Sequence, residues 1–416
     1  MIHEVEKVKK QAEYCLNCKT KPCQTGCPLQ NNIPDFIKYV KEEKYEDAFK
    51  VFNETTIFEP ICGRICPQKS QCEGSCVRGI KGESVHIGEL EKFVGDYALE
   101  NTELSVQETS DKSKKVAIIG SGPSGLACSY YLSSRGYKVS IYEKHSKLGG
   151  LLRHGIPEFR LEKKVLDKWL EKYILNKNVE VYTSVELGKD IMLEELKSDY
   201  DTVVLACGAN VSNKMNIEGE EKEFVLGGNE LLEYNNMPDF KNKKVAVIGG
   251  GNVAMDVSRT IKRQGAKNIC VVYRRSEKQM PAETKEIEEA REEGIEFLFQ
   301  TNMIKVLDNK IECVKTELIK QEGETRDYPV NIEESNFFMG IDFVVLAVGS
   351  STDKNLIDKL GLESNKWGNI KVDENYRTSD EKIYAIGDLA GNKQTVAWAA
   401  RSGFECAKKI IECEEL

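Results

Sequence analysis

Histidine is scarce, with 4 in 416 residues, so a Ser/His/Asp triad or a histidine-built hydrolytic metal site has little to be made from. No apolar run approaches the roughly 18 residues that a spanning helix needs. The longest, Phe343 to Val348, has the length of a buried strand. The first ten residues alternate Glu and Lys where a secretory signal has its apolar core, and the expectation is a cytoplasmic protein. Positive charge is not in excess either. The 59 Lys and Arg against 68 Asp and Glu leave a net charge of -9, which offers no pull toward nucleic acid or an anionic membrane. No C-x2-C pair follows residue 120, which excludes enzymes that reduce disulfides through such a pair.

What is present is a chain long enough for two or three domains, 40% apolar and 31% charged. Its 14 cysteines are unevenly spread: eight lie between Cys15 and Cys76, and six over the rest. Clustered thiols in a large, non-secreted chain bind metal more often than they form disulfides. The apolar spacing Ile33, Phe36, Ile37, Val40 predicts a helix within this first segment. From Leu104 to Lys115 the sequence turns polar and rich in Ser, Thr and Lys, the signature of a linker.

After that linker, an apolar strand at Val116 to Ile119 runs into Gly120-x-Gly122-x-x-Gly125 and then into a helical stretch. The first glycine permits the tight turn, the second lets the backbone approach a pyrophosphate, and the third lets helix and strand pack closely. Glu143 ends the next strand, about 20 residues on, where a carboxylate accepts from ribose hydroxyls. The pattern returns at Gly249-Gly250-Gly251-Asn252-Val253-Ala254. In this copy the second strand closes on Arg274 and Arg275 instead of a carboxylate. Guanidinium forks bind a 2'-phosphate, so NADPH is favoured over NADH; the bland alternative is a solvated basic edge. Apolar strands followed by glycine recur at 202–208 and 343–349, and 383–388 is again strand then turn, leading to a helix from Thr395. Helices alternating with parallel strands predict two doubly wound α/β domains. Glu288 and Glu289 read as a solvated helix face.

The thiols fall in two runs, Cys15, Cys18, Cys23 and Cys27, then Cys62, Cys66, Cys72 and Cys76, with proline after Cys27 and Cys66. Compact Cys-Pro runs of this kind wrap iron-sulfur cubanes, and eight thiols suffice for two. Two four-cysteine zinc sites are the competing reading.

These segments, with Lys147 to Arg160, Tyr273 to Ala282 and Ile386 to Asp388, resemble the family of the small (beta) subunit of NADPH-dependent glutamate synthase. That family has relatives in the N-terminal half of dihydropyrimidine dehydrogenase and in bifurcating NADH-dependent ferredoxin:NADP oxidoreductases. The resemblance implies a helical domain with two 4Fe-4S clusters over 1–106. It also implies an FAD domain in two parts, 114–235 and 342–416, interrupted by an NADPH domain over 236–341. By position, one cluster would use Cys15, Cys18, Cys23 and Cys76. The other would use Cys27, Cys66 and Cys72, with Glu91 favoured over Cys62 as fourth ligand. FAD would meet the Gly120 turn through Gly122, Pro123 and Ser124, with Gly125 behind it, Glu143 at its ribose, and Gly150, Leu151 and Arg160 lining the next loop. Gly387, Asp388 and Thr395 would close that site. NADPH would be held by Gly250, Gly251, Asn252, Val253, Arg274 and Arg275, with Val348 and Gly349 near the nicotinamide. No catalytic acid or base is implied. The expected activity is NADPH oxidation with electrons passed through FAD and the clusters to a larger catalytic subunit of glutamate synthase type; a ferredoxin, or a pyrimidine-reductase assembly, is the alternative.

Overall fold

The computed structural model describes residues 2–103, 114–176, 178–234, 237–320, 327–391 and 393–414. The expected linker lies outside the described residues up to 113, as do the expected boundaries at 106 and 235–236. The chain divides into two compact units, one of 1–153, 158–208 and 354–416, the other of 154–157 and 209–353. Among the described residues no helix is long and apolar enough to cross a membrane.

The first unit contains a five-stranded parallel sheet. Lys115–Ile119 is central, with Lys138–Glu143 and then Val179–Thr183 on one side, Thr202–Leu205 and then Ile383–Ala385 on the other. Its inner strands are buried almost without interruption, as a sheet covered on both faces requires. The helix Pro123–Ser133 follows the central strand, with proline at its first position where the missing N–H costs nothing. Against it lies the C-terminal helix Val396–Glu414. The two approach so closely that a Cβ on Gly403 would fall 2.1 Å from the Ser124 carbonyl oxygen.

The cysteine-bearing segment is built of short helices, as its punctuated sequence predicts. Ile33–Lys41 buries Ile33, Phe36, Ile37 and Val40 on one face. Glu59–Ile65 carries Cys62 and ends at Cys66, and Ile87–Asn101 packs along it. This segment and the flavin-type sheet lie in one compact unit. The cause is a buried seam with the helix Lys163–Tyr173. The Trp169 ring lies 4.7 Å from that of Phe58, and its indole N–H donates to the Ile57 carbonyl. The Tyr173 hydroxyl donates to Glu59 Oε1 at 2.7 Å, and Lys172 Nζ donates to the Ala98 carbonyl at 2.6 Å.

The second unit holds another five-stranded parallel sheet, in the order Val225–Gly227, Phe343–Leu346, Lys244–Ile248, Asn268–Tyr273, Glu296–Phe299. Phe343–Leu346 is hydrogen-bonded between two strands of this sheet, so the return to the first unit comes after Asp353, not at 342 as expected. The unit also contains what the sequence reading did not foresee, an antiparallel sheet in which Lys310–Ile319 pairs with Thr301–Leu307, Tyr328–Asn331 and Phe337–Gly340. Glu289 is only half-exposed and pairs with the buried Arg259 at 2.6 Å, which also holds Glu286 and Glu293. Glu288 is exposed as expected.

Burial pushes the Glu59 carboxyl up from 4.5 to about 7, against the Tyr173 hydrogen bond and Lys172, which pull it down. An acid so shifted binds its proton more tightly folded than unfolded. Its contribution to stability is full below pH 4.5 and is lost as pH rises to about 7. Glu59→Gln keeps an acceptor for Tyr173 and removes this loss, which is on the order of 3 kcal/mol. Urea unfolding at pH 5 and pH 8 should therefore show the wild type losing more stability than the variant; equal losses would refute the assignment.

Candidate functional site

The Gly120 turn has the geometry its sequence predicts. Gly120 takes φ +104, and a Cβ there would lie 2.5 Å from the Ala206 carbonyl oxygen. A Cβ on Gly125 would lie 2.1 Å from the Gly120 carbonyl oxygen, so the helix can sit on the turn only without one. At Gly122 a Cβ would meet nothing within 4 Å. That leaves open space before a helix N-terminus, where unsatisfied N–H groups attract phosphate. Pro123 and Ser124 open the helix. Gly150, at φ +48, comes so near that its Cβ would fall 2.7 Å from Gly122 Cα, and Leu151 starts the short helix Leu151–His154 behind it. Arg160 follows, half-buried, in the next loop.

Glu143 ends its strand buried. Oε2 accepts from the Ser121 N–H at 3.0 Å and from the Ser121 hydroxyl, and Oε1 accepts from the His145 N–H at 2.9 Å. The same Ser121 hydroxyl accepts from the Gly149 N–H at 3.0 Å, tying the second glycine loop to the first. From the far end of the chain, Gly387 arrives at φ +66. A Cβ there would fall 2.5 Å from Ser124 Oγ, and its N–H donates to Ser402 Oγ at 2.9 Å. Asp388 is thereby brought beside the fingerprint helix. Burial pushes its carboxyl up to about 6, and Oδ1 is buried without a hydrogen-bond partner. A buried, unpaired acceptor is costly unless a hydroxyl-bearing ligand satisfies it. Thr395 caps the C-terminal helix, its hydroxyl accepting from the Trp398 N–H at 3.4 Å. The open cradle at Gly122 and the orphaned Asp388 oxygen fit FAD.

In the second unit, Gly249 takes φ +138 with its would-be Cβ 2.1 Å from the Ala347 carbonyl oxygen, while Gly251 faces open space out to Pro281 Cγ at 4.0 Å. Gly250 lies against the Tyr273 ring and accepts at its carbonyl from the Ala282 N–H at 3.1 Å. Asn252 opens the helix Asn252–Arg263, its Oδ1 accepting from the Glu283 N–H at 3.1 Å, and Val253 follows it. Arg274 is exposed and Arg275 half-buried at the end of the neighbouring strand, where Arg275 Nε donates to the Asp327 carbonyl at 3.2 Å. Val348 is exposed, and the Gly349 carbonyl accepts from the Asn213 N–H at 2.9 Å.

The thiols separate by depth. Cys15, Cys18, Cys23 and Cys76 are half-buried and line a single cavity with Leu16, Val77 and Arg78, about 360 Å³ including space open to solvent. Cys27, Cys62, Cys66 and Cys72 are all buried. Burial, then the Glu91 carboxylate, pushes Cys27 up to about 12 and Cys72 well above the ordinary thiol range. Cys62 is raised first by its hydrogen bond to Cys66, then by burial. Burial and Cys66 hold the Glu91 carboxyl well above its usual range, and Asn31 Nδ2 donates to it at 3.4 Å. Both candidates for the fourth ligand, Glu91 and Cys62, thus face Cys27 and Cys66. Thiols raised this far remain protonated at neutral pH until a soft metal displaces the proton. Among the described residues no three His, Cys, Asp or Glu side chains converge at the spacing of one bound ion. Four thiols around a cavity are the donor set of a cubane, which spreads its ligands more widely.

Three residues of the site escaped sequence reasoning: Ser121 and Ser402, which brace the glycine turns, and Arg401. Arg401 Nη1 donates to the Pro28 carbonyl at 3.0 Å, linking the C-terminal helix to the loop after Cys27. Ser402 and Arg401 act on backbone across a fold contact that no spacing marks, and Ser121, the variable position of the glycine turn, acts on the Glu143 side chain and the Gly149 N–H.

Comparisons with known proteins agree with this geometry. The family model described as pyridine nucleotide-disulphide oxidoreductase matches residues 114–403, and that of dihydropyrimidine dehydrogenase domain II, 4Fe-4S cluster, matches residues 2–103. The glutamate synthase [NADPH] small chain of Escherichia coli is 33% identical over 98% of this chain and 92% of its own. The NADPH-Fe(3+) oxidoreductase subunit beta of Geobacter sulfurreducens is 37% identical over 84% of this chain and 54% of its own. Among solved structures, FprA of Mycobacterium tuberculosis in complex with NADPH shares the fold, with a TM-score of 0.65 at 19% identity, over 73% of this chain and 86% of that one. FAD, NADPH and 4Fe-4S clusters, expected from the sequence, are the cofactors of this kind of enzyme. The chain is an oxidoreductase of the pyridine nucleotide-disulphide oxidoreductase family, and over its whole length it belongs with the glutamate synthase small chains that join that fold to a 4Fe-4S domain.

Proposed function

We propose that this chain is an electron-input module that oxidises NADPH and passes the electrons to a partner protein, with a larger catalytic subunit of glutamate synthase type as the leading partner and a ferredoxin as the second. The observation that carries the reading is the depth order of the thiols within one compact unit: an inner set beside the seam with the flavin-type sheet, and an outer set at a cavity on the surface. Relatives named as a formate dehydrogenase subunit beta and an Fe(3+) oxidoreductase subunit beta support a common electron-transfer role with differing partners.

When bound, FAD supplies hydride acceptance and the clusters supply one-electron transfer. The rest falls to the chain. Gly122, Pro123 and Ser124 present the helix N-terminus to the FAD pyrophosphate, with Glu143 at the ribose and Asp388 accepting from a flavin-side hydroxyl. Gly150, Leu151 and Arg160 line the adjoining loop. Thr395, starting the C-terminal helix, turns that helix's positive end toward the site. Gly250, Gly251, Asn252 and Val253 hold the second pyrophosphate. Arg274 and Arg275 hold the 2'-phosphate, and Val348 and Gly349 adjoin the nicotinamide. Cys15, Cys18, Cys23 and Cys76 would hold the outer cluster. Cys27, Cys66 and Cys72, with Glu91 or Cys62, would hold the inner one. Arg401 positions the Cys27 loop against the helix that closes the flavin site.

Anaerobically prepared protein should contain iron and sulfide and should bleach on addition of NADPH; zinc in their place, or no bleaching, would refute the reading. Replacing both Arg274 and Arg275 by Ala should raise KM for NADPH by roughly tenfold to a hundredfold, the loss of one or two charge-assisted hydrogen bonds, and leave KM for NADH nearly unchanged. Equal effects on the two nucleotides would show that the pair is only a solvated edge. Arg401→Met should slow cluster reduction by roughly tenfold, about the cost of one charged hydrogen bond, while stopped-flow bleaching of the flavin by NADPH keeps its wild-type rate. Loss of both together would mean that Arg401 serves the fold alone.

A further inference from the structure

A dinucleotide lies across the carboxyl edge of a doubly wound sheet, at the point where the strand order reverses. In the second unit that point is at Lys244–Ile248. On one side of it Asn268–Tyr273 runs into Arg274 and Arg275. On the other side come Phe343–Leu346 and then Val225–Gly227. With the 2'-phosphate at the arginines and the pyrophosphate at Asn252, the nicotinamide end would extend over that second pair of strands. What stands there is the carboxyl group of Glu230.

Glu230 is half-buried in the short helix Gly228–Tyr234, which follows Val225–Gly227 directly. Its side chain folds back over the strand end, where a Cβ on Gly227 would fall 1.9 Å from Oε2. Only glycine leaves room for that carboxyl. A Cβ on Gly228 would lie 3.1 Å from the Leu346 carbonyl oxygen and 3.3 Å from Val253 Cγ1, so the turn sits beside the start of the fingerprint helix. Oε1 is fixed, accepting from the Ser212 N–H at 2.8 Å, and the Ser212 hydroxyl accepts from the Asn229 N–H at 3.0 Å. Ser212 pairs in turn with Ser350, the residue after Gly349. Oε2 is buried without a hydrogen-bond partner. A carboxyl group anchored at one oxygen and orphaned at the other is costly unless a ligand brings a donor. Asp388 stands in the same state at the first unit's sheet.

We infer that Glu230 Oε2 accepts a hydrogen bond from the carboxamide NH2 of the nicotinamide, orienting the ring at the end of Phe343–Leu346 and favouring its oxidised, cationic form. The inference rests on the NADPH reading of the second fingerprint and adds the residue that meets the reactive ring, since the two arginines meet only the phosphate. The carboxamide is the donor that the nicotinamide itself carries. When NADPH gives a hydride, one proton with two electrons, to the flavin, the ring left behind gains a positive charge. A fixed carboxylate close to it stabilises that charge as it develops.

The test titrates the whole holoprotein in a calorimeter with three ligands: NADP+, its 3-acetylpyridine analogue, in which a methyl group replaces the NH2, and 2',5'-ADP, which has no nicotinamide. The wild type should bind NADP+ roughly tenfold more tightly than the acetyl analogue, the worth of one charge-assisted hydrogen bond. Glu230→Ala should weaken NADP+ binding by about the same factor, hold the two dinucleotides equally and bind 2',5'-ADP as the wild type does. Glu230→Gln keeps an acceptor for Ser212 and removes the charge. It should bind NADPH, added to holoprotein reduced beforehand, within about threefold of the wild type, while its binding of NADP+ falls roughly tenfold. A wild type that holds the acetyl analogue as tightly as NADP+, a Glu230→Ala protein with unchanged NADP+ affinity, or equal weakening of NADP+ and 2',5'-ADP would overturn the role of Glu230 and leave the nucleotide site standing. A wild type that binds neither NADP+ nor 2',5'-ADP would overturn the NADPH site beneath it.

Discussion

The seam between Phe58 and Glu59 on one side and Trp169 and Tyr173 on the other is the constraint on which the rest depends. One-electron transfer is unforgiving of distance, and the cysteines sit on short helices that could not hold a fixed position alone. The seam supplies the rigidity. An aromatic pair is buried, an indole N–H is satisfied by a backbone carbonyl, and a carboxyl is kept out of water by a tyrosine hydroxyl. Because Glu59 opens the helix that carries Cys62 and ends at Cys66, whatever fixes Glu59 also fixes the inner thiols. Arg401 adds a second tether from the opposite direction, through the Pro28 carbonyl.

The depth of the thiols follows from that anchoring and has a chemical corollary. Inner thiols enclosed by apolar side chains and a buried carboxyl resist ionisation, so the pocket is poorly suited to remain as a set of thiolates and well suited to exchange protons for iron. Burial also keeps water and oxidants from the inner set. The outer set, half-buried, gives up some of that protection.

Much of this was legible in the sequence, because the constraints involved are local. Gly120, Gly122 and Gly125 are each required by a backbone contact within one strand-turn-helix unit, so their spacing alone predicts their geometry. The thiol runs and the two dinucleotide folds were legible for the same reason. What escaped depends on contacts between distant parts of the chain. The polar character of residues 104–115 suggested a domain break, yet nothing in the pattern shows that Trp169 donates to Ile57. Glu289 looked like any carboxylate in a charged helix, because its partner Arg259 lies on another one. The antiparallel sheet around Lys310–Ile319 was missed because a search for alternating helices and parallel strands does not look for hairpins.

The first unit draws its outermost strand, Ile383–Ala385, and its long final helix from residues that come after the whole of the second unit. On a ribosome, the intervening unit can therefore form its sheet as an uninterrupted segment while the earlier one is still open along one edge. Gly387 meets Ser124 only after the whole of the second unit has emerged. A flavin can consequently be captured only after the second unit has been made, and a nascent chain halted before that point would present a half-built cradle and an unpaired sheet margin to the cell's quality control.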